Sequence, residues 1–190
     1  MIGDERCVVG EWYASADPRT LNPNTRTLTP NPFVMAIVHI GIGSNLGDRQ
    51  KNCLEAIRQL EHHGVTVIKQ SSMIETEPWG VKDQPRFMNM AIEAATVLPP
   101  AQLLDLLKGI EKGMGRTPTA IWGPRIIDLD VLFYDDLVIA AGDLTIPHPC
   151  LHEREFVLKP LSEIAPEKVH PLFRMTIEDL RRRLAQANCR

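Results

Sequence analysis

Two carboxylates, Asp128 and Asp130, stand inside the otherwise apolar segment RIIDLDVLFY. Alternate residues of a strand point to the same side, so a strand here would place both side chains on one face, about 6 to 7 Å apart. Like charges at that distance repel each other unless a positive group lies close to them. Mg²⁺ takes one or two carboxylates from a protein and completes its octahedron with phosphate oxygens. The pair therefore indicates a magnesium–phosphate site, although a solvated strand face would show the same alternation.

The neighbours of the two aspartates favour the phosphate interpretation. Arg116 and Arg125 bring planar guanidinium groups, whose paired N–H groups match phosphate oxygens. Downstream, the turn IPHPC holds His148, and Arg154 follows it. Each of these residues alone is more often a surface or structural residue. Together with the carboxylates they describe a polyphosphate site better than they describe packing.

Composition narrows the class of protein. With 190 residues and 44% hydrophobic residues, the chain is long enough for one full core, so one folded domain is expected. The net charge of −3 gives no positive field for nucleic acid or an anionic membrane, and no apolar run approaches the roughly 20 residues of a membrane span. The four cysteines form no CxxC pair, which is typical of reduced thiols. We therefore expect a cytoplasmic monomer with small-molecule partners.

The chain divides into two parts of different composition. Residues 1–34 are rich in proline, asparagine and threonine and show no helical or strand periodicity, so we expect a disordered N-terminal extension. Residues 35–190 carry all the motifs and are expected to form a single catalytic domain.

The elements that must position these residues follow from periodicity, caps and turn signals. Strands are predicted over 36–42, 65–75, 87–97 and 125–134, with one helix from Asp48 to Gly64 and another from Pro99 to Gly113. This βαββαβ order predicts a ferredoxin-like α+β fold, with both helices on one face of an antiparallel sheet and the other face free for a ligand. LVIAAGDLTIPH should add an edge hairpin, and TIEDLRRRLAQ a C-terminal helix capped by Thr176 and Asp179.

Six segments in this order resemble the hydroxymethyl-dihydropterin pyrophosphokinases of folate biosynthesis. They are GIGSNLGDR, TEPWG, DQPRFMN, IEKGMGR, WGPRIIDLD and LTIPHPCLHEREFVLKPL, and the likeness extends over about residues 36 to 173. The resemblance implies transfer of the pyrophosphoryl group of ATP to the hydroxymethyl oxygen of the pterin, with release of AMP.

The resemblance also implies residue roles. Asp128 and Asp130 would hold two Mg²⁺ ions and act in catalysis with Arg116 and Arg125. The residues expected to contact ATP as co-substrate are Glu111, Arg116, Arg125, Val131, Thr145, His148 and Arg154, with adenine near Val131 and Thr145. Phe87 and Phe156 would sandwich the pterin and Asn89 would read its ring. Thr76, Glu77, Trp79 and Trp122 complete the expected pterin pocket. Core packing for the two phenylalanines and a solvated helix end for Glu111 are the alternatives.

Three positions depart from the family pattern. Pro149 stands where some members carry an aromatic residue, and Phe87 stands where many carry tyrosine. Pro118 replaces a second basic residue that members often place two positions after the first arginine. A hydroxyl contact at each of the first two places and a charge contact at the third are therefore in question.

Two other classes of function stay open. Gly43 and Ser44 followed by two alternate aspartates resemble the metal site of nucleotidyltransferases. In that superfamily the carboxylates follow on the next strand, whereas here more than eighty residues intervene. A non-catalytic ligand-binding module is the other alternative, because ferredoxin-like folds often serve that role. Release of AMP, of pyrophosphate or of no product separates the three.

Overall fold

The structure is a computed structural model that describes residues 35–117 and 123–188. The predictions made for residues 1–34, Pro118 and Trp122 lie outside these ranges. Within the two ranges, none of the helices combines the length and the apolar character that a membrane span requires.

The predicted helices and strands form in the predicted order, but one predicted strand is divided in two, and an α-helix and a 3-10 helix occur in addition. The helices are α1 (Arg49–His62), α2 (Pro100–Gly113), α3 (Glu155–Ile164) and α4 (Ile177–Asn188), and a short 3-10 helix covers Leu151–Glu153. The strands are β1 (Ala36–Ser44), β2 (Thr66–Gln70), β3 (Ile74–Thr76), β4 (Phe87–Thr96), β5 (Asp128–Tyr134), β6 (Ile139–Ala141) and β7 (Leu144–Ile146).

The main sheet confirms the ferredoxin-like prediction. Its strand order is β2-β4-β1-β5, β3 also pairs with β4, and every pairing is antiparallel. The single strand predicted over 65–75 is two strands, because Ser71 interrupts the ladder. Its backbone N–H bonds to the Ala91 carbonyl at 3.0 Å, while its hydroxyl accepts the Ala91 N–H at 2.9 Å.

The predicted caps are present at both helices for which they were proposed. Asp48 accepts a hydrogen bond from the Lys51 N–H at 3.1 Å, and Thr176 accepts one from the Asp179 N–H at 3.1 Å. These side chains satisfy backbone donors that have no partner within the first helical turn. Helix α2 begins at Pro100, where a proline loses no helical hydrogen bond.

The second face of the sheet is not free, which corrects the prediction. Helices α1 and α2 bury one face, while α3 and α4 pack on Ala91, Leu132 and Phe133 of the opposite face. The segment that forms α3 contains Pro160 and was interpreted only as a motif, so its helix was missed. The part of this face that α3 and α4 leave uncovered carries the cavity described below.

The predicted hairpin forms, but it is not an edge of the main sheet. Strands β6 and β7 pair only with each other in the described part of the chain and make a separate two-stranded sheet. The turn that follows is tied to β5 instead, because the His148 N–H donates to the Leu132 carbonyl at 3.0 Å.

We expect the fold to lose stability in mild acid because of His170. This residue is buried against Phe133 and Phe173, and its Nδ1 accepts the Leu172 N–H at 3.3 Å. Burial, with a smaller contribution from His152, lowers the pKa of His170 to about 4. The unfolded chain binds this proton below about pH 6.5, whereas the folded chain does not, so the free energy of unfolding falls by about 2 kcal/mol between neutral pH and pH 5.

Thermal unfolding of two variants between pH 7.5 and 5 checks this expectation. His170→Gln should show a shallower fall of Tm with pH than the parent chain, whatever its absolute stability. His62→Gln, which changes an exposed histidine at the end of α1, should keep the parent slope. An unchanged slope in His170→Gln would contradict the expectation.

Candidate active site

A cavity opens on the uncovered part of the second sheet face. Its floor consists of two cross-strand rows, Asn89–Gly43–Asp128 and Ala91–Gly41–Asp130, each running over β4, β1 and β5. Residues paired across neighbouring strands point to the same face. The cavity collects twelve of the predicted site residues: Thr76, Glu77, Trp79, Phe87, Asn89, Arg116, Arg125, Asp128, Asp130, His148, Arg154 and Phe156.

The two aspartates share the cavity, as their spacing predicted. Burial and the neighbouring charge of Asp130 raise the pKa of Asp128, and the charges of Arg125 and Arg116 oppose that rise. Arg116 Nη1 donates to Asp128 Oδ1 at 2.7 Å, and Arg125 Nη1 lies 3.1 Å from Asp128 Oδ2. Two arginines therefore balance a carboxylate that burial alone would disfavour in its charged form.

Glu111 is absent from the cavity lining, but it links α2 to β5 by a hydrogen bond. Its buried carboxylate accepts the backbone N–H of Leu129, between the two aspartates, at 2.7 Å. It also forms ion pairs with Arg116 and with Lys108, the latter at 3.2 Å. Glu111 thus fixes the position of the strand and of Arg116 at once.

Asn45, which sequence reasoning missed, fixes the backbone of Arg125. Its Oδ1 accepts the Arg125 N–H at 2.7 Å, and its own N–H donates to the Arg125 carbonyl at 3.1 Å. Its amide N–H groups reach Gln84 Oε1 at 3.0 Å and the Pro85 carbonyl at 3.2 Å. A buried side chain therefore joins the segment before β5 to the loop before β4.

His148 and Arg154 form the wall beyond β5. His148 Nδ1 accepts the Cys150 N–H at 3.2 Å, and Nε2 lies 3.4 Å from Arg154 Nη1. Burial lowers the pKa of His148, Asp130 raises it, and Arg154 lowers it again. One ring nitrogen is therefore engaged with the backbone, and the second faces Arg154.

Aromatic side chains line one end of the cavity, called the aromatic end below, and Arg154 extends to it. The Arg125 guanidinium lies 5.7 Å from the centre of the Phe87 ring. The Arg154 guanidinium lies 5.0 Å from the centre of the Trp79 ring and 5.7 Å from that of Phe156. These distances are typical of cation–π contacts, and such aromatic faces also suit a flat heterocycle.

Asn89 lies between the aromatic end and the aspartates. Its side chain is buried, and Nδ2 donates to Thr76 Oγ1 at 2.7 Å. The hydrogen bond fixes the orientation of the amide, which presents a donor and an acceptor on neighbouring atoms.

Two predicted adenine contacts are not brought to the cavity lining. Val131 follows Asp130 on β5, so its side chain points to the other face, where it packs in the core with α1 and α2. Thr145 lies on β7 outside the cavity lining.

Several cavity residues were missed by sequence reasoning. Gly41 and Gly43 alternate on β1 exactly as the aspartates do on β5, and that spacing is a signal of close approach above a strand face. Lys108 also lines the cavity, one helical turn before Glu111. Its helical spacing from Glu111 was available in the sequence, but its membership of the site depends on how α2 docks on β5.

The arrangement suits two ligands side by side. Arginines and a lysine beside two carboxylates can bind a metal-bound polyphosphate, because the guanidinium and ammonium groups balance phosphate charge and the carboxylates supply hard oxygen ligands. The aromatic end with its fixed amide can hold a planar ring at the end of that polyphosphate. This geometry favours group transfer between the two.

Comparison with known proteins shows the family to which the chain is similar. The family model described as 7,8-dihydro-6-hydroxymethylpterin-pyrophosphokinase matches residues 39–166. The 2-amino-4-hydroxy-6-hydroxymethyldihydropteridine pyrophosphokinase of Aquifex aeolicus is 42% identical over 147 residues, covering 77% of this chain and 91% of that protein. The enzyme of the same name from Bacillus subtilis is 46% identical over 132 residues, covering 69% and 79%.

A solved structure shares the fold. The crystal structure of Plasmodium falciparum HPPK-DHPS wild type matches with a TM-score of 0.65 at 17% identity. The match covers 80% of this chain and 45% of that longer one, so it concerns the fold of one part of the Plasmodium protein. Taken with the extent of the family match and the two bacterial relatives, the cavity and its motifs place this chain in the 7,8-dihydro-6-hydroxymethylpterin-pyrophosphokinase family.

Proposed function

We propose that this chain transfers the pyrophosphoryl group of ATP to the hydroxymethyl group of 6-hydroxymethyl-7,8-dihydropterin, giving the pterin diphosphate and AMP in folate biosynthesis. The observation that carries the proposal is the cavity floor, where Asp128 and Asp130 lie in the same two cross-strand rows as Asn89 and the β1 glycines. Metal-binding oxygens and a ring-reading amide therefore face one space, as transfer between two bound substrates requires.

Asp128 and Asp130 are the proposed ligands of two Mg²⁺ ions. Their fit rests on the donor chemistry and on charge, since burial and the charge of Asp130 disfavour the charged form of Asp128, which a bound cation would favour. Held by these two carboxylates, Mg²⁺ would supply positive charge that neutralises the group being transferred. In this structure Arg116 and Arg125 contact Asp128, so they are positioned to turn towards phosphate oxygens when a cation replaces them.

The proposed ATP-binding groups lie around the two carboxylates. Arg116, Arg125 and Arg154 supply guanidinium groups for phosphate oxygens, and His148 faces Arg154 with its second ring nitrogen. Glu111 acts on this group through Arg116 and the β5 backbone. Val131 and Thr145 are kept as proposed adenine neighbours because β5 lies at the sheet edge beside β7, and Val131 would contribute through backbone groups.

The proposed pterin site is the aromatic end of the cavity. Phe87 and Phe156 would stack on the ring and exclude water from the hydroxymethyl group. The Asn89 amide, held by Thr76, would read the ring edge through its donor and acceptor. Glu77 and Trp79 line the same end, and Trp122 is retained from the sequence as a further proposed contact.

The chain is also proposed to act as a cytoplasmic monomer on these two small molecules. The net charge of −3 and the free, buried thiols of Cys53 and Cys150 are consistent with that setting. Sedimentation equilibrium should give a single species of about 21.3 kDa, the mass of one chain.

Product analysis tests the proposed reaction. The chain is incubated with ATP, Mg²⁺ and the reduced hydroxymethylpterin, and the nucleotide products are separated. We expect AMP and the pterin diphosphate in equal amounts. ADP would indicate transfer of one phosphoryl group, pyrophosphate would indicate nucleotidyl transfer, and binding without turnover would indicate a ligand-binding module.

A further inference from the structure

Lys108 is a cation of the cavity that none of the six sequence motifs contains. It lies on α2 one turn before Glu111 and lines the cavity together with Asp130 and His148. Helix α2, which carries Lys108, packs against β5 and β7. Lys108 therefore stands on the side of the cavity that borders β5 and the His148 turn.

Within residues 35–117 and 123–188, Glu111 is the one side chain that contacts the ammonium group of Lys108. Its Nζ lies 3.3 Å from Glu111 Oε1 and 3.2 Å from Oε2. The side chain of Lys108 is 50% exposed, whereas that of Glu111 is 3% exposed. Because half of the lysine side chain is exposed, water or another anion can replace the Glu111 carboxylate when the ammonium turns away.

The buried negative charge of Glu111 keeps other partners when Lys108 moves away. Its carboxylate also accepts the Leu129 N–H at 2.7 Å and pairs with Arg116. A buried carboxylate with a backbone donor and a guanidinium keeps partners after the lysine moves. Lys108, by contrast, has a flexible four-carbon stem and a compact charge that binds phosphate without a fixed geometry.

The three arginines that line the cavity already contact other side chains. Arg116 and Arg125 are engaged with Asp128, and Arg154 lies between Trp79 and Phe156 at the aromatic end. A polyphosphate lying over β5 would therefore meet the Lys108 ammonium from the α2 side.

We propose that Lys108 is a binding residue for the triphosphate of ATP, exchanging its contact with the Glu111 carboxylate for phosphate oxygens when the nucleotide binds. The inference rests on the proposed function, because it assigns the polyphosphate to the carboxylate end of the cavity. It adds a nucleotide contact from α2, an element that otherwise acts on the site only through Glu111.

Calorimetric titration of two matched variants tests the inference. Lys108→Gln removes the charge and keeps most of the side-chain length, while Lys112→Gln does the same at an exposed position of α2 outside the cavity. With Mg²⁺ present, pterin absent and ionic strength low, Lys108→Gln should raise the Kd of ATP about tenfold. The Kd of adenosine should not change, Lys108→Arg should recover most of the ATP affinity, and Lys112→Gln should match the parent chain.

The salt dependence provides a second measure of the same contact. The loss in Lys108→Gln should shrink as ionic strength rises, because salt screens a half-exposed charge. An unchanged Kd for ATP, with or without a lower Tm, would overturn the proposal and leave Lys108 as a partner of Glu111 only. Equal losses for ATP and adenosine would also overturn it. Failure of the parent chain to form AMP would instead count against the proposed function.

Discussion

Replacing Asp128 or Asp130 by asparagine should lower turnover by roughly three orders of magnitude or more, about 4 kcal/mol in barrier, while the protein stays folded. The loss is expected because an amide oxygen is a weak ligand for Mg²⁺ and cannot neutralise it, so the charge on the transferring group would be stabilised less. We assign the effect to turnover and not to folding, since desolvation and the charge of Asp130 both disfavour the charged form of Asp128 in the folded chain.

The structure defines the expected effect on stability more closely. Asp128→Asn gives up contacts with Arg116 and Arg125, but it also removes the burial cost of the charge and its repulsion with Asp130. Because the net effect raises the pKa of Asp128, the folded state favours the neutral form more than the unfolded state does. A neutral asparagine should therefore leave Tm at pH 7 unchanged or higher.

Turnover at saturating Mg²⁺ and thermal unfolding at pH 7 measure the two effects separately. Asp105→Asn, which changes an exposed carboxylate on α2 outside the cavity, serves as the control and should behave like the parent chain. Near-normal turnover in either aspartate variant would remove that residue from the metal site. A large fall in Tm would instead mean that Asp128 is needed for the ion pairs with its two arginines.

Local patterns were sufficient to predict the frame of the site. The alternation of Asp128 and Asp130 placed both on one face of β5, and Asp48 marked the start of α1. Pro100 marked the start of α2. Such features depend on the period of one element or on a cap within one turn, so residues close together in the sequence are enough to predict them.

What the sequence did not reveal depends on how elements dock. The helix at Glu155–Ile164 was missed because its residues were interpreted as a motif, and its packing on β4 covers a face predicted to be free. The core position of Val131, by contrast, follows from the same local alternation that directs Asp130 into the cavity, so its expected contact with adenine stays a prediction that involves the backbone. Gly43 and Lys108 enter the site only through strand register and helix docking, which no single segment specifies.

The second large effect that we predict is that of a substitution at Gly43, whose position follows from the register of β1. This residue is paired with Asn89 on one side and with Asp128 on the other, at the centre of the cavity floor. A Cβ atom at position 43 would lie 2.9 Å from Asn89 Oδ1 and 3.9 Å from atoms of Asp128 and Phe87. Asn89 has little room to retreat, because its side chain is buried and its Nδ2 donates to Thr76 Oγ1 at 2.7 Å.

Gly43→Ala should therefore weaken pterin binding about thirtyfold, equivalent to about 2 kcal/mol, and leave ATP affinity within about threefold of the parent. The added methyl group must displace the Asn89 amide or occupy space above the strand, and either change misplaces the ring edge that the amide would read. Titration of the pterin in the presence of a non-hydrolysable ATP analogue measures this loss directly.

Gly41→Ala is the matched control, since Gly41 lies two residues earlier on the same strand face. There the nearest atom to an added Cβ is Leu132 Cδ2 at 3.4 Å, an ordinary contact with the end of a flexible side chain. Its pterin affinity should fall much less than that of Gly43→Ala. Equal losses in the two variants would point to a general need for glycine on β1, while normal pterin binding by a folded Gly43→Ala chain would show that the ring is not held against Asn89. The difference between two glycines on one strand face thus tests whether the amide at position 89 is the group that orients the pterin.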